Sequence, residues 1–148
     1  MTVIQLLSGP ETLLVEAAFP NAAPLITFNH WTQPALLQQW WPQHADVSPG
    51  AGGWYHLSWP DMGWHLRGHY LVFEPPRQLT FTWRWDHDPA EEPTRKVELT
   101  LEPWAGQGTR LQLTHGPYQD TPLDHEVRLE HHLAGWKHFL PRLEQVLS

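Results

Sequence analysis

The chain has 148 residues, of which 41% are hydrophobic and 17% are charged. This composition excludes a disordered chain, and the length predicts one domain over residues 1–148. Nine Lys and Arg residues against sixteen Asp and Glu give a net charge of −7. Such a charge repels phosphate backbones and argues against a nucleic-acid partner. Without cysteine, disulfides, thiolate nucleophiles and Cys-ligated metals are excluded.

The sequence carries no signal for a membrane span or for export. No apolar run approaches the roughly 18 residues that a transmembrane helix requires. Residues 1–10 contain a short apolar patch, but no basic residue precedes it and no small-residue cleavage site follows it. We therefore expect a cytoplasmic protein.

The first third of the chain predicts one strand followed by two short helices. Residues 13–19 form a mostly apolar run that ends at Pro20, which is typical of a short strand. Asn21 can cap a helix in which Leu25, Phe28 and Trp31 share one face. A second helix is expected from Pro34, and the tryptophans at 40 and 41 are expected to pack these helices.

From residue 52 the hydrophobic period changes to two, which predicts a meander of antiparallel strands. The clearest strand is 79–85, where Leu79, Phe81 and Trp83 alternate with polar residues. Residues 86–93 are acidic and hold two prolines, so they predict an exposed loop with little structure, which includes the solvated pair Glu91 and Glu92. Further strands are expected around 97–101 and 111–113.

The C-terminal segment predicts one long amphipathic helix. Its apolar residues are spaced by three and four positions, which places Leu129, Leu133, Trp136, Leu140, Leu143 and Leu147 on one stripe. Pro141 interrupts the pattern, so we expect a bend between 137 and 140. The element order indicates an α+β fold in which about seven antiparallel strands form a curved sheet around this helix, with two short helices after the first strand.

Several dispersed motifs occur in an order that resembles a known family. They are Phe28-Asn29-His30-Trp31-Thr32, Trp40-Trp41 before Pro42, Gly52-Gly53-Trp54-Tyr55, Gly68-His69-Tyr70, Phe73-Glu74-Pro75-Pro76-Arg77, Leu79 to Trp83, Gly108-Thr109-Arg110-Leu111 and Gly135-Trp136. The chain thereby resembles the helix-grip superfamily of START lipid-transfer domains, polyketide cyclases and Bet v 1 allergens. The most similar branch is the family named for the C-terminal domain of the activator of Hsp90 ATPase.

The resemblance extends from Leu13 to the C-terminus and implies the helix-grip fold, with a ligand pocket between sheet and helix. Members often carry an arginine just before the double glycine, whereas Ala51 stands here. The family name does not imply a chaperone role.

The candidate ligand-binding residues are mainly aromatic. Residues that point inward by alternation, or from the helix stripe, are Trp59, Trp64, Tyr70, Trp83, Trp85 and Trp136. They could stack on a flat or greasy ligand, or simply fill the core. His115, Tyr118 and His132 could hold a polar head group or transfer a proton, or serve only as hydrogen-bonded structural residues.

Metal and cofactor chemistry are not expected. His125, His131, His132 and His138 do not converge on one helix face, and no pair of them has the i, i+4 spacing of zinc helices. No nucleophile elbow is present. We therefore assign no catalytic residue, metal or cofactor.

Three functions remain open at the level of sequence. The leading hypothesis is a non-enzymatic module that binds an apolar or amphipathic small molecule. The second is an enzyme of the cyclase or hydrolase type that uses the same pocket, with His115, Tyr118 or His132 as acid or base. The third is an interaction protein for a chaperone or for a second copy of itself in a homodimer, with exposed Trp31, Trp54 or Trp104 as anchors.

Overall fold

The computed structural model describes residues 3–148. Eight strands are present: β1 (Ile4–Leu6), β2 (Leu13–Phe19), β3 (His44–Ser48), β4 (Trp54–Trp59), β5 (Trp64–Glu74), β6 (Gln78–Trp85), β7 (Arg95–Trp104) and β8 (Gly108–Gly116). The helices are α1 (Pro24–Asn29), α2 (Pro34–Leu37), α3 (Pro122–Glu126) and α4 (Ala134–Val146), with π-helical turns over Val127–Leu133 between α3 and α4. No helix within 3–148 is long and apolar enough to cross a membrane.

The strands form one curved antiparallel sheet in the order β1-β2-β8-β7-β6-β5-β4-β3. The predicted helix-grip fold is confirmed: the sheet curves around the C-terminal helical segment, and both short helices follow β2. The sequence did not predict the two edge strands, β1 and β3. They have three and five residues with only two apolar positions each, which is too few to establish a period.

The inner face of the sheet follows the predicted alternation over most of its length and departs from it at one bulge. Leu66 and Tyr70 of β5 are buried, but the pairing of β5 with β6 shifts register between Tyr70 and Val72. A bulge reverses the parity of the residues beyond it. Phe73 consequently packs on Phe28 of α1, with ring centroids 5.4 Å apart, while Val72 stays outside the core cluster.

The short helices carry tryptophans into the core. Trp40 is fully buried, and its indole N–H donates to the carbonyl of His30 at 2.9 Å. The predicted inner face of α1 was wrong in one residue, because Leu25 is 52% exposed while Phe28 is buried. Trp31 was also wrong as an exposed anchor, since it packs edge-on against Trp40 at 4.8 Å.

The C-terminal helical segment begins earlier than predicted. Thr121 caps α3 by accepting a hydrogen bond from the backbone N–H of Asp124. The apolar stripe is confirmed from Leu133 to Leu147, but Leu129 is 37% exposed. The π-helical turns explain the difference, because i→i+5 bonding rotates the chain less per residue than an α-helix.

Candidate functional site

A cavity of about 690 Å³ lies between the C-terminal helical segment and strands β4, β5 and β6. This volume falls in the range of small-molecule pockets, roughly 300–1,000 Å³. We call it the tryptophan cavity, because six of the chain's ten tryptophans line it. Its lining residues are Trp41, Trp59, Trp64, Trp83, Trp85, His87, Asp88, Pro89, Glu92, Arg95, Leu123, Val127, His131, His132, Gly135, Trp136 and Phe139.

Six of the nine candidate residues line this cavity: Trp59, Trp64, Trp83, Trp85, His132 and Trp136. The other three lie elsewhere. Tyr70 packs on Tyr55 at 5.9 Å, away from the cavity. His115 and Tyr118 are buried beside His132 but do not line the cavity.

The tryptophan rings form a continuous wall from deep to shallow. At the deep end Trp83 and Trp136, which are 7% and 2% exposed, lie 5.7 Å apart. Toward the mouth, Trp85 lies 5.5 Å from Trp59 and 6.1 Å from Trp64. Trp64 is 44% exposed, although alternation placed it with the inward residues. It lies at the start of β5, where the sheet ends and its side chain forms the rim of the cavity.

Two stacked histidines connect the cavity to the sheet. The rings of His115 on β8 and His132 in the π-helical turns are 4.1 Å apart and nearly parallel, at 7°. Burial raises the pKa of the Tyr118 phenol, so it keeps its proton, and its oxygen is hydrogen-bonded with Nδ1 of His132 at 2.7 Å. Nε2 of His132 makes no hydrogen bond within residues 3–148, and His132 lines the cavity.

The environment keeps both histidines neutral. Burial lowers the pKa of His132 to about 3, with smaller contributions from the charges of Arg95 and His131. Burial likewise lowers the pKa of His115 well below its ordinary value. The Trp136 indole N–H donates to Nδ1 of His115 at 3.2 Å, which leaves its Nε2–H buried without an acceptor in the described chain. A neutral ring tolerates this position better than a cation.

Arg95 is the buried charge of the site, and sequence analysis missed it. Its guanidinium donates to Glu92 Oε1 at 2.6 Å and to the Pro117 carbonyl at 3.1 Å, and lies 3.2 Å from Asp124 Oδ1. It also covers the Tyr118 ring at 4.9 Å. The alternation on β7 could have identified it, because Arg95 lies two residues before buried Val97 and therefore points to the same inner face of the sheet.

The loop between β6 and β7 is more ordered than predicted. Arg84 donates to the carbonyls of Pro89 and Glu92 at 2.7 and 2.6 Å, and the Asp88 carboxylate accepts from the Trp85 backbone N–H at 3.0 Å. Glu92 is not solvated, since its side chain is 19% exposed and paired with Arg95. These bonds bring the loop over the mouth of the cavity.

Trp41 and Phe139 are two further lining residues that the sequence did not single out. Trp41 was expected only to pack the short helices, yet it stacks on Trp83 at 5.9 Å and 21°. Phe139 lies three residues after Trp136, a spacing that could have identified it. No group of His, Asp and Glu within 3–148 is arranged to hold a metal ion.

Solved structures share this architecture over nearly the whole chain. The protein MLL2253 from Mesorhizobium loti is 28% identical, covers 92% of this chain and 96% of its own, and superposes with a TM-score of 0.74. CalU16 from Micromonospora echinospora is 24% identical over 93% of this chain and 74% of its own, with a TM-score of 0.70.

A third structure, described as an HSP90 activator from Plasmodium falciparum, is 22% identical. It covers 93% of this chain and 96% of its own, with a TM-score of 0.73. At this identity the likeness of the second and third structures concerns the fold alone. Comparison with curated protein sequences gives no match. Residues 21–148 match the family model described as activator of Hsp90 ATPase homolog 1-like protein.

Proposed function

The chain belongs to the family of activator of Hsp90 ATPase homolog 1-like proteins, and we propose that it binds a small apolar or amphipathic molecule in the tryptophan cavity. The observation that carries the proposal is the cavity itself, about 690 Å³ of space that the side chains of the fold leave unfilled. Because interiors are normally packed to crystal density, a void of this size next to so many aromatic rings is typical of a binding site.

The lining fits a ligand with a large apolar body and few polar atoms. Indole faces such as those of Trp83 and Trp136 offer extended stacking surfaces at low entropic cost. Two ring nitrogens of lining residues at the deep end make no hydrogen bond within residues 3–148, the indole N–H of Trp83 and Nε2 of His132, and either can bond a polar atom of the ligand. The ligand would thus be held mainly by burial and oriented by such a bond.

An acid or base role for the histidines receives less support than binding. General catalysis is most efficient when the pKa of the catalytic group lies near the operating pH. The pKa of His132 is about 3, and His115 does not line the cavity. The bond between Tyr118 and His132 serves better to fix the orientation of the His132 ring.

Gly135 offers a direct test, because it lines the cavity and a Cβ built there meets no atom within 4 Å. Gly135→Leu should place a side chain in the ligand space while improving helix propensity by up to about 1 kcal/mol. Ala134→Leu, one residue away and exposed to solvent, is the matched control.

The measurement is native mass spectrometry of protein purified without detergent, followed by release and identification of the bound molecule. We expect a stoichiometric ligand in the wild type and in Ala134→Leu, with about tenfold or greater loss in Gly135→Leu. Equal occupancy in all three proteins would contradict binding in the tryptophan cavity. An empty wild type that also takes up no member of a lipid and aromatic library would overturn the proposed function.

A further inference from the structure

The charge of the tryptophan cavity narrows the class of its ligand. Among the described lining residues Arg95 is the only Lys or Arg, and its guanidinium is matched by the carboxylates of Glu92 and Asp124. Its Nε donates to the Pro117 carbonyl, and its Nη2 makes no hydrogen bond but is buried 3.2 Å from Asp124 Oδ1. The charge of Arg95 is thus balanced within the fold and leaves no net positive charge for a carboxylate or phosphate of a ligand.

Asp88 adds a carboxylate at the mouth that no cation neutralises. One of its oxygens accepts the Trp85 backbone N–H, and no Lys, Arg or His among residues 3–148 pairs with it. Among the described lining residues, the carboxylates of Asp88 and Glu92 against the one guanidinium of Arg95 leave a formal charge of −1. An anionic ligand would be repelled on entry.

Three indole rings near Asp88 are only partly buried, and one of them, Trp85, stacks with His87 at 5.6 Å. Trp59, Trp64 and Trp85 surround the mouth with centroids 5.5 and 6.1 Å apart, and none of the three is fully buried. An indole face carries negative electrostatic potential, and it is the strongest aromatic partner for a cation. Several indoles next to an unpaired carboxylate form the type of site that holds quaternary ammonium groups.

We propose that the ligand of the tryptophan cavity is an organic cation, with an apolar body packed against Trp83 and Trp136 and an ammonium group held by Asp88 and the indoles of Trp59, Trp64 and Trp85. This inference rests on the proposed function and specifies its ligand class. It excludes fatty acids and phosphorylated amphiphiles. The cation would sit at the mouth, where it keeps part of its hydration, and the apolar body would occupy the deep end.

The test compares three probes with the same eight-carbon chain and different charge: octyltrimethylammonium, 1-octanol and octanoate. Binding is measured by isothermal titration calorimetry at pH 8, where histidines are ordinarily neutral, and at low salt. We expect octyltrimethylammonium to bind about tenfold more tightly than 1-octanol, and octanoate to bind most weakly. If 1-octanol or octanoate equals or exceeds the cation, the ligand class is wrong while binding in the cavity stands.

If none of the three probes binds and the native protein is also empty, the proposed function itself fails.

Two variants test where the cation binds. Asp88→Asn, whose amide oxygen can still accept the Trp85 N–H, should lower the preference for octyltrimethylammonium over 1-octanol several-fold. Glu91→Gln removes a charge from the same loop at an exposed residue outside the lining and should leave the preference unchanged.

Trp64→Leu supplies an independent check on the aromatic part. It should weaken octyltrimethylammonium more than 1-octanol, because leucine keeps apolar contact but has no π face. Trp104→Leu, at another partly exposed tryptophan outside the cavity, is its control. A preference unchanged in both Asp88→Asn and Trp64→Leu would overturn the assignment of the cation to the mouth.

Discussion

The space between sheet and helix has a closed end and an open end, and tryptophan is abundant at both. At the closed end Trp31, Leu37, Tyr55 and Tyr70 leave a gap of only about 10 Å³. At the open end Trp59, Trp64 and Trp85 border a cavity of about 690 Å³. Trp41 lines both spaces and forms the wall between them. The same residue type thus fills the core at one end and lines a void at the other.

The difference follows from what surrounds each ring. At the closed end, α1 and α2 bring a second layer of side chains onto the sheet, so Trp40 meets Trp31 and Trp41 at 4.8 and 5.5 Å. At the open end the covering layer is the C-terminal helical segment and the loop between β6 and β7, and Gly135 of the helix lines the cavity without a side chain. A glycine on the inner face of the helix therefore accounts for part of the open volume.

The largest expected effect comes from truncating a tryptophan at the closed end. Trp40→Ala should lower the free energy of unfolding by about 3–5 kcal/mol, because it opens a cavity and removes a buried hydrogen bond. Trp64→Ala, at the rim of the open end, should cost about 1 kcal/mol or less. Urea unfolding at pH 7 measures both values. Similar losses of unfolding free energy in the two variants would contradict the distinction between a packed closed end and an unfilled open end.

The next largest effect is expected from acid, which should lower the free energy of unfolding through the two histidines at the deep end of the cavity. The folded protein keeps His115 and His132 neutral, with the pKa of His132 near 3, whereas the unfolded chain takes up protons below about 6.5. The contribution of the two neutral histidines to the free energy of unfolding is therefore fully present above pH 6.5 and is lost as the pH falls below that value. Each histidine can contribute a slope of up to about 1.4 kcal/mol per pH unit.

The pH effect is assigned by a variant with a matched control. His132→Gln should lower the slope of unfolding free energy against pH between 5 and 6.5 by up to about 1.4 kcal/mol per pH unit, because it removes one of the histidines whose pKa burial lowers. His138→Gln, at an exposed position of α4, should leave the slope unchanged. The slope is obtained from urea unfolding curves recorded at several pH values. Identical slopes in the wild type and His132→Gln would contradict the assignment.

A smaller and opposite effect is expected at Gly135. Gly135→Ala should raise the free energy of unfolding by about 0.5–1 kcal/mol, since alanine favours the helix and its methyl group meets open space. Thermal unfolding of the ligand-free protein measures this change. A destabilised variant would show that the helix packs more closely on the sheet at this point than the cavity implies.

Sequence reasoning identified the wall of the cavity better than its polar end. Alternation on β6 and periodicity on α4 fix Trp83 and Trp136, because these patterns report which face is buried. The polar end depends on a loop that folds over the mouth. Glu92 belongs to an acidic segment with two prolines that predicts a solvated loop, yet it forms an ion pair with buried Arg95. Loop conformation follows from individual hydrogen bonds, which carry no periodic signal.

The sequence also could not show whether the cavity is open. Tyr70 and Trp59 share the inward register, yet Tyr70 belongs to the closed end and Trp59 to the open end. Register assigns a face of the sheet, whereas packing density depends on what covers that face. The π-helical turns that place His132 beside His115 could not be predicted from residue spacing either, because they depend on backbone hydrogen bonding.

A crystal soaked with 1-bromonaphthalene, a neutral aromatic probe whose bromine can be located by anomalous scattering, tests the open end most directly. We expect a bromine peak within the space bounded by Trp59, Trp83 and Trp136. Tryptophan side chains that close over this space, with no bromine between them, would contradict the central claim.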